Sequence, residues 1–99
     1  MLKIKKEMGN GSLTVQLEGR LDTTTAPELE ASLRESLTGV TELTLDMAAL
    51  EYISSAGLRV LLSAQKIMNK QGEMKIINVG EVINEIFEVT GFSDILNIE

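Results

Sequence analysis

Histidine, cysteine and tryptophan are absent from this 99-residue sequence, which has one proline, one tyrosine and two phenylalanines. Without His or Cys the chain has no Ser-His-Asp or Cys-His nucleophile pair, no thiolate zinc site and no disulfide. So few aromatic rings provide no platform on which nucleic-acid bases could stack. These absences exclude most hydrolase classes.

Acidic residues exceed basic ones, since nine Lys or Arg face fifteen Asp or Glu and give a formal charge of −6. The cations are scattered apart from Lys3, Lys5 and Lys6, whereas binding of phosphates requires a concentrated basic face. No apolar run reaches the roughly 18 residues of a membrane-spanning helix, and the segment Met1–Ile4 lacks the apolar length of a signal peptide. We therefore expect a cytoplasmic protein with no nucleic-acid partner and no membrane insertion.

Two segments of alternating polarity open the chain. Leu2, Ile4 and Lys6 share one face, and the segment Leu13–Glu18 alternates apolar with polar residues. The intervening Met8–Ser12 is rich in Gly and Asn, which accept the positive φ of tight turns. The pattern predicts an antiparallel β-hairpin.

A helix is predicted after the hairpin. Thr25 can cap it with Glu28 reciprocating, Pro27 fits its first turn, and Gly39 can end it in a left-handed cap. Its apolar stripe recurs every four residues at Leu29, Leu33 and Leu37.

The second half of the chain alternates strands with helices. A short strand Glu42–Asp46 is followed by a separate apolar stretch, Met47–Leu50, that leads to Ile53. The elements predicted after it are a helix over Ser55–Gln71 closed by Gly72, a strand over Met74–Asn78, a helix over Glu81–Thr90 that turns Val82, Ile83, Ile86 and Phe87 inward, and a tail over Phe92–Ile98 that is a short helix or an edge strand.

This order predicts an α/β fold with right-handed crossovers. We expect a single domain over residues 1–99, with a mixed sheet of four strands, or five if the tail adds one. About four helices cover one main face of the sheet. Met47, Met68 and Met74 are expected in the core and Met8 at the surface.

The segment Tyr52–Arg59 is the first candidate for function. Ser54 or Ser55 can serve as a helix N-cap, which is a structural role. Alternatively, one of these hydroxyls is phosphorylated, because a helix N-terminus favours a phosphate and Ala56 and Gly57 leave room for an approaching enzyme.

The segment Gly19–Thr25 is the second candidate. Asp22 can close an Asx-turn or help to cap the helix that follows, or it can belong to a partner-binding surface. If the strands pair as expected, this loop and the Ser55 helix start lie at the same end of the sheet. No phosphate-binding glycine motif occurs, so we expect no nucleotide cofactor.

Three segments together resemble the STAS domain of bacterial anti-sigma factor antagonists. Leu17–Asp22 is similar to the family's second strand ending in G-x-L-D, Ile53–Leu58 to its phosphoacceptor loop, and Gly72–Ile76 to its helix-to-strand junction. The resemblance extends over essentially the whole chain. It implies the STAS fold, with Ser55 as the phosphorylated residue and Ser54 where many members have Asp.

The resemblance also implies a partner-switching function. The unphosphorylated protein would bind an anti-sigma factor that is also a serine kinase, phosphorylation would end that binding, and a PP2C-type phosphatase would reverse it. The chain itself would be a monomer when free and neither an enzyme nor a cofactor-binding protein. The partner-binding residues implied are Asp22, Thr23, Thr24, Ser54, Ser55, Ala56, Gly57 and Arg59.

Two alternatives remain. A STAS-like structural or regulatory subunit of a transport or signalling complex would have the same fold without the switch, and Ser55 would then be only a helix cap. An enzyme with Ser55 as nucleophile would need a base, and the motif contains no His or Lys to activate the hydroxyl.

Overall fold

A computed structural model describes residues 2–99 of the chain. After an opening pair of strands, helices alternate with strands, as the sequence predicts. They are β1 (Leu2–Met8), β2 (Ser12–Leu21), α1 (Ala26–Ser36), β3 (Glu42–Ile53), α2 (Ser55–Gln71), β4 (Glu73–Ile77), α3 (Glu81–Thr90) and a 3-10 helix (Phe92–Asp94).

The strands form one mixed sheet in the order β1-β2-β3-β4. The β1–β2 pair is antiparallel, and the β2–β3 and β3–β4 pairs are parallel. The tail adds a single parallel bridge between Ile98 and Ile76 and not a fifth strand. The predicted four-stranded sheet with its opening hairpin is thus confirmed, and the helices number three α-helices and one 3-10 helix within residues 2–99.

The core lies on one face of the sheet. Leu13, Val15 and Leu17 of β2 are fully buried, whereas Gln16, between the last two of them, and Glu18, after Leu17, are exposed. The methionine predictions are confirmed: Met8 is exposed, and the buried ones are Met47, Met68 and Met74.

Strand β3 corrects the prediction of a short strand with a separate apolar stretch. It is one continuous strand of 12 residues. Register shifts against β2 occur between Gln16 and Glu18 and between Gly19 and Arg20, where β3 contributes an extra residue each time. Each bulge interrupts the two-residue period of the strand. The buried side chains of Met47, Leu50 and Ile53 accordingly follow one another at intervals of three residues.

Two helix predictions are also corrected. Helix α1 ends at Ser36 and not at Gly39, which adopts its left-handed φ of 80° in the turn beyond. In α3, Val82 is 59% exposed, while Ile83 and Phe87 are buried. Both ends of α2 and the bounds of α3 are as predicted.

Candidate functional site

The carboxyl ends of the parallel strands β2 and β3 lie side by side. Leu21 is paired with Ile53, and the backbone N–H of Ser54 donates to the carbonyl oxygen of Leu21 at 2.9 Å. The loops that follow the two strands therefore start next to each other. This confirms that the Asp22 segment and the Ser55 helix start share one end of the sheet.

The two adjacent serines at the start of α2 have different environments. Ser54 is the N-cap residue, and its Oγ accepts from the backbone N–H of Gly57 at 3.4 Å. Ser55 is the first residue of the helix and is exposed to solvent. Of the two hydroxyls that could cap α2, Ser54 does so, and Ser55 is the accessible one.

Gly57 is buried where α2 approaches the sheet most closely. A Cβ at this position would lie 2.7 Å from Cγ of Leu21 and 2.9 Å from Cγ1 of Ile53. Both of those side chains are buried and have little space to move. Gly57 is one of the predicted partner-binding residues, but it lies beneath the surface. Its role is therefore to position the start of α2.

The carboxylate of Asp22 closes an Asx-turn. Its Oδ1 accepts from the Thr24 hydroxyl at 2.8 Å, from the Thr24 N–H at 3.0 Å and from the Thr25 N–H at 3.1 Å. The Thr24 hydroxyl, helped by these backbone N–H groups and opposed by partial desolvation, lowers the pKa of Asp22 below its ordinary value of 3.8. The loop is held in one conformation while Thr23 and Thr24 remain exposed.

Thr25 occupies the N-cap position of α1, but its side chain does not cap the helix. Its buried hydroxyl accepts from the Asp22 N–H and donates to the Arg20 carbonyl, both at 2.8 Å. The predicted capping box with Glu28 is therefore wrong, because the hydroxyl is engaged in closing the loop between β2 and α1.

Arg20 and Tyr52 form a contact that the sequence analysis missed. The Arg20 guanidinium lies 4.4 Å from the centre of the Tyr52 ring, and its Nε is 3.8 Å from Oδ2 of Asp22. The two residues are partners only because of the bulges in β3, since the register at the start of the strands would place Arg20 opposite Leu50. The interrupted two-residue period of β3 does not by itself indicate which residue of β2 lies opposite each residue of β3.

The two loops form a continuous surface. A shallow groove between the starts of α1 and α2 brings Thr23, Ala56 and Arg59 together. Thr23, Ser55 and Arg59 are exposed around it, and Ser54 and Asp22 are half-buried and support it through the hydrogen bonds above. The structure therefore brings the predicted partner-binding residues to one place.

Two features are absent from residues 2–99. No group of three His, Cys, Asp or Glu side chains in this part of the chain is arranged to hold a metal ion. In the same part of the chain, no helix has both the length and the apolar character needed to cross a membrane.

Comparisons with known proteins identify the family. A model of the STAS domain matches residues 3–99. BtrV of Bordetella bronchiseptica, designated an anti-sigma factor antagonist, is 35% identical, and the match covers 98% of this chain and 85% of BtrV. The anti-sigma-B factor antagonist of Bacillus subtilis is 26% identical, with 98% and 90% covered. The chain belongs to the STAS domain family, and these relatives are anti-sigma factor antagonists.

Solved structures share the fold. An anti-sigma factor antagonist from Mycobacterium paratuberculosis superposes with a TM-score of 0.89 at 22% identity, over 99% of this chain and 85% of that one. The Bacillus cell fate determinant SpoIIAA in its phosphorylated form gives a TM-score of 0.77 at 17% identity, over 98% and 91%. The predicted STAS fold is therefore confirmed.

Proposed function

We propose that this protein is an anti-sigma factor antagonist whose binding is switched by phosphorylation of Ser55. The observation that carries the proposal is the exposed Ser55 hydroxyl at the first position of α2, beside a surface that includes Thr23 and Arg59. In its unphosphorylated form the protein binds an anti-sigma factor with serine kinase activity and frees the sigma factor. The designation of the relatives as antagonists supports this role.

Ser55 is a better phosphoacceptor than Ser54 for a physical reason. Ser54 is half-buried, and its hydroxyl accepts a hydrogen bond from the Gly57 N–H. This helix cap would have to open before the Ser54 hydroxyl could attack a phosphate group. Ser55 projects from the first turn, and the small neighbour Ala56 leaves room for the kinase. Ser54 itself performs the capping task for which Asp is equally suited, since both are preferred N-cap residues.

The phosphorylation step needs only one hydroxyl from this chain. A base of the kinase takes the Ser55 proton as Oγ attacks the γ-phosphorus of ATP, the new O–P bond forms, and ADP leaves with the electrons of the broken bond. A PP2C-type phosphatase reverses the state by adding water to phosphorus, which restores the hydroxyl and releases inorganic phosphate. ATP and its metal are bound by the kinase.

The added charge ends binding without unfolding the protein. A phosphoserine adds about −1.5 to −2 charges at neutral pH. The helix start tolerates it, because the first N–H groups of a helix have no intrahelical acceptor and lie at the positive end of the dipole. The same charge repels an acidic surface on the partner, and the phosphoryl group occupies space at the centre of the interface.

The neighbouring loop supplies the rest of the binding surface. Asp22, Thr23 and Thr24 lie next to the helix start, and the hydrogen bonds to Asp22 fix the backbone of this loop before binding. A preformed surface loses little conformational entropy on association. We infer that the free protein is a monomer and acts in the cytoplasm, where sigma factors and ATP are found.

The assignment is tested with an anti-sigma factor kinase, to be isolated from the native cell by co-purification with this protein. Incubation with ATP and the kinase should add one phosphoryl group to the wild type and none to Ser55→Ala, as measured by intact mass. Ser63→Ala is the matched control, because Ser63 is also exposed on α2. Unchanged modification of Ser55→Ala would contradict the proposal.

A further inference from the structure

Arg59 lies one helical turn after Ser55 on α2. Both residues are exposed. Residues four apart on a helix have Cβ atoms about 5–6 Å from each other, so a guanidinium at the later position can reach a group attached to the earlier one. Of the predicted partner-binding residues, Arg59 is the one that carries a positive charge.

The charge of Arg59 is uncompensated. Within residues 2–99 it forms no ion pair, and two acidic residues of the neighbouring surface pair with other cations. Glu30 lines the same groove but pairs with Arg34 at 3.6 Å, and Asp22 pairs with Arg20 at 3.8 Å. The first turn of α2 has no acidic residue. A cation near the start of a helix adds its charge to the positive end of the helix dipole.

We propose that Arg59 is the intramolecular counter-charge that positions the phosphate of phosphorylated Ser55, an inference that rests on the function proposed above. Its planar guanidinium donates two parallel hydrogen bonds to phosphate oxygens. The unpaired N–H groups of the first turn face the same phosphate. Ser54 leaves them available, because its side chain accepts only from Gly57.

The consequence is a switch with two defined states. In the unphosphorylated protein Arg59 is exposed and contributes a positive charge to the partner-binding surface. After phosphorylation the same guanidinium turns toward Ser55, so the partner loses a contact and meets a negative group. Stabilising the dianion also lowers the second pKa of the phosphoserine below its ordinary value of about 6, so the phosphate is fully charged at neutral pH.

The test uses the full chain with phosphoserine installed at position 55 during synthesis, followed by a pH titration of its phosphorus NMR signal. In this background Arg59→Gln should raise the second pKa of the phosphate by about half a unit. Arg59→Lys should restore part of the shift, because it keeps the charge and loses the two-pronged geometry.

Lys66→Gln is the matched control. Lys66 is exposed on α2 and follows Ser55 by eleven residues, on nearly the same helical face. It lies about 16 Å further along the axis, well beyond the Debye length of about 8 Å at physiological ionic strength. The phosphate pKa should therefore stay at its wild-type value in Lys66→Gln. Equal pKa values for Arg59→Gln and Lys66→Gln would overturn the proposal.

The two proposals fail separately. Because the phosphoserine is installed by synthesis, the titration does not depend on whether a kinase recognises Ser55. If no anti-sigma kinase modifies the chain, the proposed function is contradicted. If the phosphate pKa does not change when Arg59 is replaced, the proposed role of Arg59 is contradicted. Thermal unfolding of each variant verifies that the exposed substitutions leave the fold intact.

Discussion

A Cβ atom on Gly57 would lie 2.7 Å from Cγ of Leu21, so this residue pair sets how closely α2 approaches the end of β2. The approach has a functional consequence. Leu21 precedes the Asp22 loop, and Gly57 is two residues beyond Ser55, so their contact determines the spacing between the two halves of the candidate site. The absence of a side chain at position 57 is thus a requirement of packing.

We expect Gly57→Ala to destabilise the protein by about 1–3 kcal/mol, because the added methyl overpacks a buried contact. Gly80→Ala is the control, since a Cβ at Gly80 meets no atom within 4 Å. Gly80→Ala should cost less than about 1 kcal/mol, because Gly80 is the N-cap residue of α3 and Ala is a poorer N-cap than Gly. Urea denaturation measures both free energies of unfolding, and equal values would contradict the close packing at Gly57.

The two serines should separate stability from modification. Ser54→Ala removes the cap and should cost about 0.5–1 kcal/mol while leaving phosphorylation in place. Ser55→Ala should leave the free energy of unfolding nearly unchanged while abolishing phosphorylation. Ser54→Asp should retain the stability of the wild type, because Asp also caps helices. Thermal unfolding and intact mass provide the two measurements, and loss of phosphorylation in Ser54→Ala alone would reverse the assignment.

The lowered pKa of Asp22 predicts a pH-dependent contribution to stability. Since the folded pKa lies below the ordinary value of 3.8, the charged form is favoured in the folded state. Its contribution is present above that value and disappears as pH falls through the folded pKa. The melting temperature of the wild type should exceed that of Asp22→Asn at pH 7, and the difference should shrink below about pH 4. Asp94→Asn controls for the loss of one exposed carboxylate. A difference in melting temperature between the wild type and Asp22→Asn that stays constant with pH would contradict the Asx-turn as the origin of the effect.

Local sequence signals predicted the elements with regular periodicity and strong end signals. Helix α2 has Ser at its start and Gly72 at its end, and the hairpin turn has Gly and Asn, so these boundaries could be predicted from the chain alone. The bulges of β3 were not predicted, because the spacing of three between Met47, Leu50 and Ile53 broke the two-residue period and indicated a separate apolar stretch. The contact between Arg20 and Tyr52 depends on those bulges and was missed for the same reason.

Competition between polar groups explains why the cap predicted for α1 does not form. Thr25 has the side chain of a helix cap, yet the Arg20 carbonyl and the Asp22 N–H engage it instead. Of the four residues predicted to face inward in α3, Ile83 and Phe87 are buried and Ile86 is half-buried, whereas Val82 is exposed. The division of roles between Ser54 and Ser55 likewise required the geometry, since either residue suits an N-cap by composition.

The most direct test of the account is the affinity of the anti-sigma factor for two forms of this protein, unphosphorylated and phosphorylated at Ser55, measured by titration calorimetry. We expect tight binding of the unphosphorylated form and at least about tenfold weaker binding after phosphorylation, a change of about 1.4 kcal/mol. Phosphoserine installed at Ser63, which adds the same charge elsewhere on α2, should leave binding unchanged. Equal affinity of the anti-sigma factor for the unphosphorylated and Ser55-phosphorylated forms would contradict the switch.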